Sequence, residues 1–210
     1  MKVIVGVDES GTGAWAGPYT VTALACYEKD ASLLRSAGGR DSKSMTDIRR
    51  RGSMAAISEI ALFAKTTVVS VEEIDQSKHA AWRSAILRSV AYVLECLLDH
   101  GIEKSSVEIV IDGLLDVKTE RKINKELGIS SVRFLTSAED QVPAVGAASV
   151  VAKTTRNNLM ALLHQEYPVY RWVENKGYGT KQHAAAIERY GRSPQHRNVK
   201  VAALGWKEDL

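Results

Sequence analysis

Residues 2–27 read KVIVGVDESGTGAWAGPYTVTALACY, and the order of residue types within them decides the fold. Residues 2–7 are apolar and β-branched, the pattern of a buried strand, and they run straight into Asp8 and Glu9. The glycine loop Gly11-Thr12-Gly13 follows, Gly17-Pro18 punctuates the chain, and residues 19–27 alternate as a second strand. The chain therefore opens as an antiparallel pair with two acids at the end of its first strand.

Working outward, 45–63 has helical periodicity with Met54, Ile57, Ile60 and Ala61 on one face, 65–71 reads as a strand, and 78–100 as a long amphipathic helix stopped at Gly101. The stripe Trp82, Ile86, Val90 and Val93 on that helix faces the core. Strands over 107–111 and 131–135 follow, then helices over 142–165 and 180–190. The expectation is an α/β fold, a mixed sheet flanked by helices, with a helical C-terminal extension. Residues 1–165 form the expected catalytic core and 166–210 an extension contributing to substrate binding within one structural domain. Asp8, Glu9 and Asp112 all sit where strands end, which is where open α/β sheets place their chemistry.

Composition narrows the class. With 210 residues, 45% hydrophobic and 25% charged, the chain can bury a core, which argues against disorder, a fibre or a disulfide scaffold. Cys26 and Cys96 lack metal-ligand spacing and are expected as buried thiols in a reducing compartment. The apolar run before Asp8 is too short for a signal peptide or a membrane span, so a cytoplasmic protein is expected. The net charge of +3 is small, but Arg49, Arg50 and Arg51 cluster, as do Lys176, Lys181, Arg189, Arg192, Arg197 and Lys200, which points to a polyanion.

The loop Gly11-x-Gly13-x-x-Ala16 formally matches a dinucleotide-binding pattern. That motif needs a helix to open at the loop, whereas Gly17-Pro18 and a β-branched run follow here, so a dehydrogenase is kept only as the third and weakest reading. Asp8 and Glu9 beside the loop would repel a phosphate unless a cation intervened, so acids and exposed amides together suggest metal plus phosphate. Phosphodiester hydrolysis with divalent cations needs several converging carboxylates, since Mg²⁺ takes hard oxygen ligands.

Several segments carry a joint resemblance. GVDESGTGAWAGP at 6–18 resembles the first signature of bacterial ribonucleases HII and HIII, GRDSKSM at 39–45 their DSK segment, and IDG at 111–113 the strand with the third acid. AVGAASVVAKTTRN at 144–157 resembles the AAS-xx-AK-xx-R helix, and YPVYRWVENKGYGTKQH at 167–183 with SPQHR at 193–197 resembles the ribonuclease HII tail. In family order from residue 6 to 197, these segments make the chain similar to the type 2 ribonuclease H family. DESGTG is the HIII form, with Thr12 where HII enzymes usually carry Arg, whereas NKGYGT with Tyr178 is the HII form. Asn157 stands where the HII helix usually has Asp. Because the chain begins at the catalytic domain, the N-terminal substrate-binding domain usual in HIII is not expected.

The resemblance implies a ribonuclease H-like fold and an endoribonuclease that cuts the RNA strand of RNA–DNA hybrids, and ribonucleotides embedded in duplex DNA, leaving 5′-phosphate and 3′-hydroxyl ends. It implies that Asp8, Glu9, Asp112 and Glu139 hold two Mg²⁺ ions, with Mn²⁺ as the alternative. Glu139 is preferred to Asp140 because the family places this acid ten residues before the serine equivalent to Ser149 and four before the proline equivalent to Pro143. Asp140 is then expected to cap the following helix. The resemblance further gives Gly11, Thr12, Gly13 and Tyr178 to the ribose 2′-hydroxyl, and Lys43, Ser149, Lys153, Lys176 and Arg197 to phosphates. His183 is expected as a structural helix residue, and the protein as a monomer. A hybrid-binding protein without catalysis is the rival, and four buried like charges with no cation to offset them argue against it.

Overall fold

The computed structural model describes residues 1–38, 46–113, 117–129 and 131–198. Its strands are β1 (Val3–Ser10), β2 (Tyr19–Tyr27), β3 (Phe63–Val69), β4 (Val107–Asp112) and β5 (Val132–Leu135). They form one sheet in the order β3-β2-β1-β4-β5, antiparallel on the β1, β2, β3 side and parallel from β1 through β4 to β5. The expected mixed sheet is thus present, opened by the expected antiparallel pair. The helices are α1 (Ala31–Ser36), α2 (Asp47–Ile60), α3 (Val71–Asp99), α4 (Val117–Leu127), α5 (Ala138–Gln141), α6 (Pro143–Glu166), α7 (Trp172–Asn175) and α8 (Lys181–Tyr190).

Both faces of the sheet are covered, and the two-residue period of β1 assigns its side chains to them. Val3, Val5 and Val7 join the core formed with Ile86, Val90, Val93 and Leu97 of α3. Ile4 packs on the opposite side, with α6. Gly6 lies on that same side, where a Cβ would stand 2.2 Å from the backbone carbon of Ala144, so its missing side chain lets the start of α6 lie directly on β1. Beyond α6, Trp172, Tyr170, Ala186 and Ile187 close around Ala16 and Met160, tying the C-terminal segment to the glycine loop.

Three elements differ from expectation. The strand expected over 65–71 is Phe63–Val69, because α2 ends at Ile60 and Ala61 is already extended. The helix expected from 78 starts at Val71, where Ser70 and Glu73 form a capping box; non-helical Ser77 (φ −167°, ψ 103°) then breaks the periodicity nearly two turns in. The amphipathic α4, with Ile123 and Leu127 buried, was hidden by its many charges. Cys26 is buried as expected, whereas Cys96 is only half-buried on α3, and both thiols are free. Among the described residues no helix is long and apolar enough to cross a membrane.

Candidate active site

The alternation that fixes the core also splits the two adjacent acids. Asp8 falls on the α6 side with Ile4 and Gly6, and Glu9 on the α3 side with Val5 and Val7. Accordingly Asp8 meets Ser149 of α6, and Glu9 meets the indole of Trp82 on α3. The last pair of the parallel β1–β4 ladder is Val7 with Ile111, so Asp8 and Asp112 are the next residues on adjacent strands. Asp112 shares the α6 side with Val110, and its Oδ1 accepts from the amide of Ala138 at 2.7 Å, which anchors α5 beside the sheet. The following residue, Glu139, is buried and its Oε2 accepts from Ser149 Oγ at 3.0 Å and from Lys153 Nζ at 3.5 Å. Three strands or helices thus deliver four acids to one end of the sheet.

Burial raises the pKa of both acids of the first pair. Asp8 is pushed up to about 6, chiefly by desolvation and slightly by Asp112, against the pull of Ser149, the Glu9 amide and Lys153. Glu9 is pushed up to about 7 by desolvation and by the charge of Asp8, which the Trp82 indole and Lys153 only partly offset. Among the described residues no three Asp, Glu, His or Cys side chains are already gathered as ligands around one point, since Ser149 and Lys153 engage Glu139 instead. The donor chemistry nevertheless fits a hard divalent cation: buried (Asp8, Glu139) and half-buried (Glu9, Asp112) carboxylate oxygens whose charge exceeds that of Lys153.

Beside the acids, Gly13 is exposed and open while Gly11 is buried. The amides of Trp15 and Ala16 both donate to the carbonyl of Gly177, at 2.8 and 3.2 Å, so the neighbouring Tyr178, 42% exposed, is hydrogen-bonded into the same assembly. Lys176 lines a cleft of about 160 Å³ with Arg50, Arg51, Asn157 and Asn158, and its Nζ donates to the Val173 carbonyl. Lys43 lies outside the described residues.

Two of the residues expected at phosphates are enclosed in this structure. Arg197 is 1% exposed, with Nε donating to the Gly17 carbonyl at 2.8 Å and Nη1 to that of Thr12 at 3.3 Å, so it braces the glycine loop from within. Ser149 is fully buried, and its hydroxyl donates to Oε2 of Glu139 at 3.0 Å. Asp140 is exposed and caps nothing: the residue before α6 is Val142, which makes no side-chain cap. His183 is buried and structural, as expected, and Nε2 of His196 lies 3.2 Å from its own Nε2. Trp82 was expected as plain core, and Arg156, buried under the loop, was marked only as the arginine of the AAS-xx-AK-xx-R resemblance, without a role; a pairing of indole or guanidinium with a distant loop is invisible to periodicity.

The family model described as Ribonuclease HII matches residues 5–208. A Ribonuclease HII of Acidovorax sp. (strain JS42) is 37% identical over 199 residues, covering 93% of this chain and 83% of the relative. In fold, the chain is similar to the protein in the structure of the PCNA:RNase HII complex from Archaeoglobus fulgidus (TM-score 0.73, 22% identity, 93% of this chain and 94% of that one). It is also similar to Bst-RNase HIII, crystallised in complex with Mn²⁺ (TM-score 0.72, 20% identity, 90% of this chain and 63% of that one). With a family model spanning nearly its whole length over a sheet that ends in four acids, the chain belongs to the ribonuclease HII family, metal-dependent endoribonucleases of the type 2 ribonuclease H class.

Proposed function

We propose that this ribonuclease cuts the RNA strand of RNA–DNA hybrids, and single ribonucleotides embedded in duplex DNA, with two Mg²⁺ ions, Mn²⁺ being able to substitute. The observation that carries the reading is the delivery of Asp8, Glu9, Asp112 and Glu139 to one sheet end beside the glycine loop and Tyr178. Those four carboxylates would hold the ions, which when bound supply an activated water and charge stabilisation for the leaving 3′-oxygen, giving 5′-phosphate and 3′-hydroxyl ends.

The chain's own residues have separable tasks. Ser149 and Lys153 hold Glu139 by its Oε2, and the Trp82 indole orients Glu9. Gly11, Thr12 and Gly13 offer backbone amides, and Tyr178 its ring and hydroxyl, to the ribose 2′-hydroxyl that distinguishes RNA from DNA. Lys153 and Lys176 serve the phosphates as cations. Residues 1–165 act as catalytic core and 166–210 as a substrate-binding extension, and the protein works in the cytoplasm as a monomer.

Labelled duplexes holding one, four or many consecutive ribonucleotides test this, with Mg²⁺ and with excess EDTA. Cleavage of all three, abolished by EDTA, is expected. Binding without cleavage would leave a hybrid-binding protein, and an uncut single-ribonucleotide duplex would restrict the activity to RNA tracts.

A further inference from the structure

Arg156 of α6 is 1% exposed and makes no ion pair among the described residues. Its Nε donates to the Pro18 carbonyl at 2.9 Å and its Nη2 to that of Ala16 at 3.4 Å. Cζ of the same guanidinium lies over the Tyr178 ring, 5.2 Å from its centroid. At the other end of the loop, a Cβ on Gly11 would stand 1.8 Å from Nε of Arg156, so the glycine's backbone rests flush on this side chain. One planar group therefore touches the start of the loop, its end and the tyrosine.

Stability alone does not require a charge at this place. A buried unpaired cation is costly, and an apolar side chain of similar length would fill the space more cheaply. A lysine would keep the charge but lacks the fork that reaches two carbonyls and the flat face that stacks on a ring. Arg197 braces the loop independently through Thr12 and Gly17, without touching Tyr178 by hydrogen bond.

We propose that Arg156 is a positioning residue that locks the glycine loop and Tyr178 into one rigid reading surface, and so sets how strongly a ribonucleotide is preferred to a deoxyribonucleotide at the cleavage position. This rests on the reading of loop and tyrosine as the 2′-hydroxyl contacts. Arg156 touches no substrate; it acts by fixing the distance between two elements that come from opposite ends of the chain.

The test is equilibrium binding in EDTA, free of chemistry, to two duplexes that differ by a single ribonucleotide in otherwise all-DNA strands. Wild type is expected to prefer the ribonucleotide duplex, and Arg156→Met to lose most of that preference, by roughly tenfold, while still binding the all-DNA duplex. Near-ultraviolet circular dichroism establishes that each variant is folded; should Arg156→Met fail to fold, Arg156→Lys makes the same comparison. A wild type that binds both duplexes equally overturns the 2′-hydroxyl reading itself. A wild type with a preference that folded Arg156→Met and Arg156→Lys both retain in full overturns the role of Arg156 and leaves that reading standing.

Discussion

Nζ of Lys153 stands 3.5 Å from Oε2 of Glu139, and the hydroxyl of Ser149 joins the two, donating to the carboxylate and accepting from the ammonium. Lys153 also draws down Asp8 and Glu9, so a single cation on α6 is shared by three of the four acids. That arrangement gives Glu139 and Asp140, neighbours in sequence, opposite fates. Glu139→Gln is expected to abolish cleavage while hybrid binding stays measurable. Asp140→Asn, at an exposed site that caps no helix, should leave activity intact and change stability by no more than ~0.5 kcal/mol. Turnover and chemical denaturation of both variants decide it; an inactive Asp140→Asn beside a near-normal Glu139→Gln would reverse the assignment.

Buried acids should make the metal-free protein less stable than it could be. The folded pKa of Glu9 lies above its ordinary value, at about 7, so the folded state binds the proton more tightly than the unfolded one. Stability of the metal-free protein is therefore expected to rise as pH falls from 8 towards 5 on account of this group, and the ionised carboxylate is a cost above 7. Glu9→Gln should raise the metal-free stability at pH 8 by on the order of 1–2 kcal/mol while eliminating cleavage. Mg²⁺ should raise the melting temperature of wild type at pH 8, with EDTA reversing it, and do so much less for Glu9→Gln. An equal Mg²⁺ response in the two proteins would remove Glu9 from the metal site.

Salt dependence should separate surface cations from buried ones. Arg197 is enclosed and bonded to the Thr12 and Gly17 carbonyls, so Arg197→Ala is expected to cost on the order of 2–3 kcal/mol of stability and leave the slope of log affinity against log salt unchanged. Lys176→Ala, at the cleft it shares with Arg50 and Arg51, should instead flatten that slope by about 1 at little cost in stability. A flattened slope for Arg197→Ala would mean that its guanidinium reaches the nucleic acid after all.

The contrast between Arg197 and Lys176 shows what a sequence can and cannot disclose. The strand ending at Asp8-Glu9 and the strand ending at Asp112 were legible because apolar runs and acids follow each other along the chain, and the register Val7 with Ile111 then brings them together. Whether a basic residue is a surface cation or a buried brace depends on carbonyls from a loop about 180 residues away, as in the bond from Arg197 to Gly17. Composition counts both as positive charge. For the same reason a serine ten residues after Glu139 signals a motif in the sequence, while only the packed structure shows that its hydroxyl donates to that carboxylate. The start of α3 was missed because Ser77 interrupts the helical period, while the capping box before it was present in the sequence as Ser70-x-x-Glu73.

The pair His183 and His196 supplies a pH dependence of the opposite sign. Nδ1 of His196 accepts from the Ser193 amide at 2.9 Å, which puts its proton on Nε2, facing Nε2 of His183 at 3.2 Å. His183 then carries its proton on Nδ1, donating to the Tyr178 carbonyl at 2.9 Å, while its Nε2 also accepts from the Trp172 indole at 3.1 Å. The bonds accepted by His196 Nδ1 and His183 Nε2 require neutral rings, whereas the bond that His183 Nδ1 donates to the Tyr178 carbonyl survives protonation. Burial accordingly pushes His196 down to about 4, helped by His183 and Arg192, and lowers His183 as well. A depressed folded pKa means that the unfolded chain takes up the proton first, so this contribution is whole above about 6.5, the ordinary imidazole value, and is lost as pH falls towards 4. Allowing for solvent screening, the loss is expected to be on the order of 2 kcal/mol. Because Glu9 and Asp8 act in the other direction, the clean measurement is the gap between wild type and His196→Gln: the variant is expected to be less stable at pH 7.5, by about 1 kcal/mol for the lost bonds, and the gap to close by pH 5. A gap that stays constant from pH 7.5 to 4.5 would show that His196 does not titrate with unfolding, and the tautomers inferred from its partners would have to be abandoned.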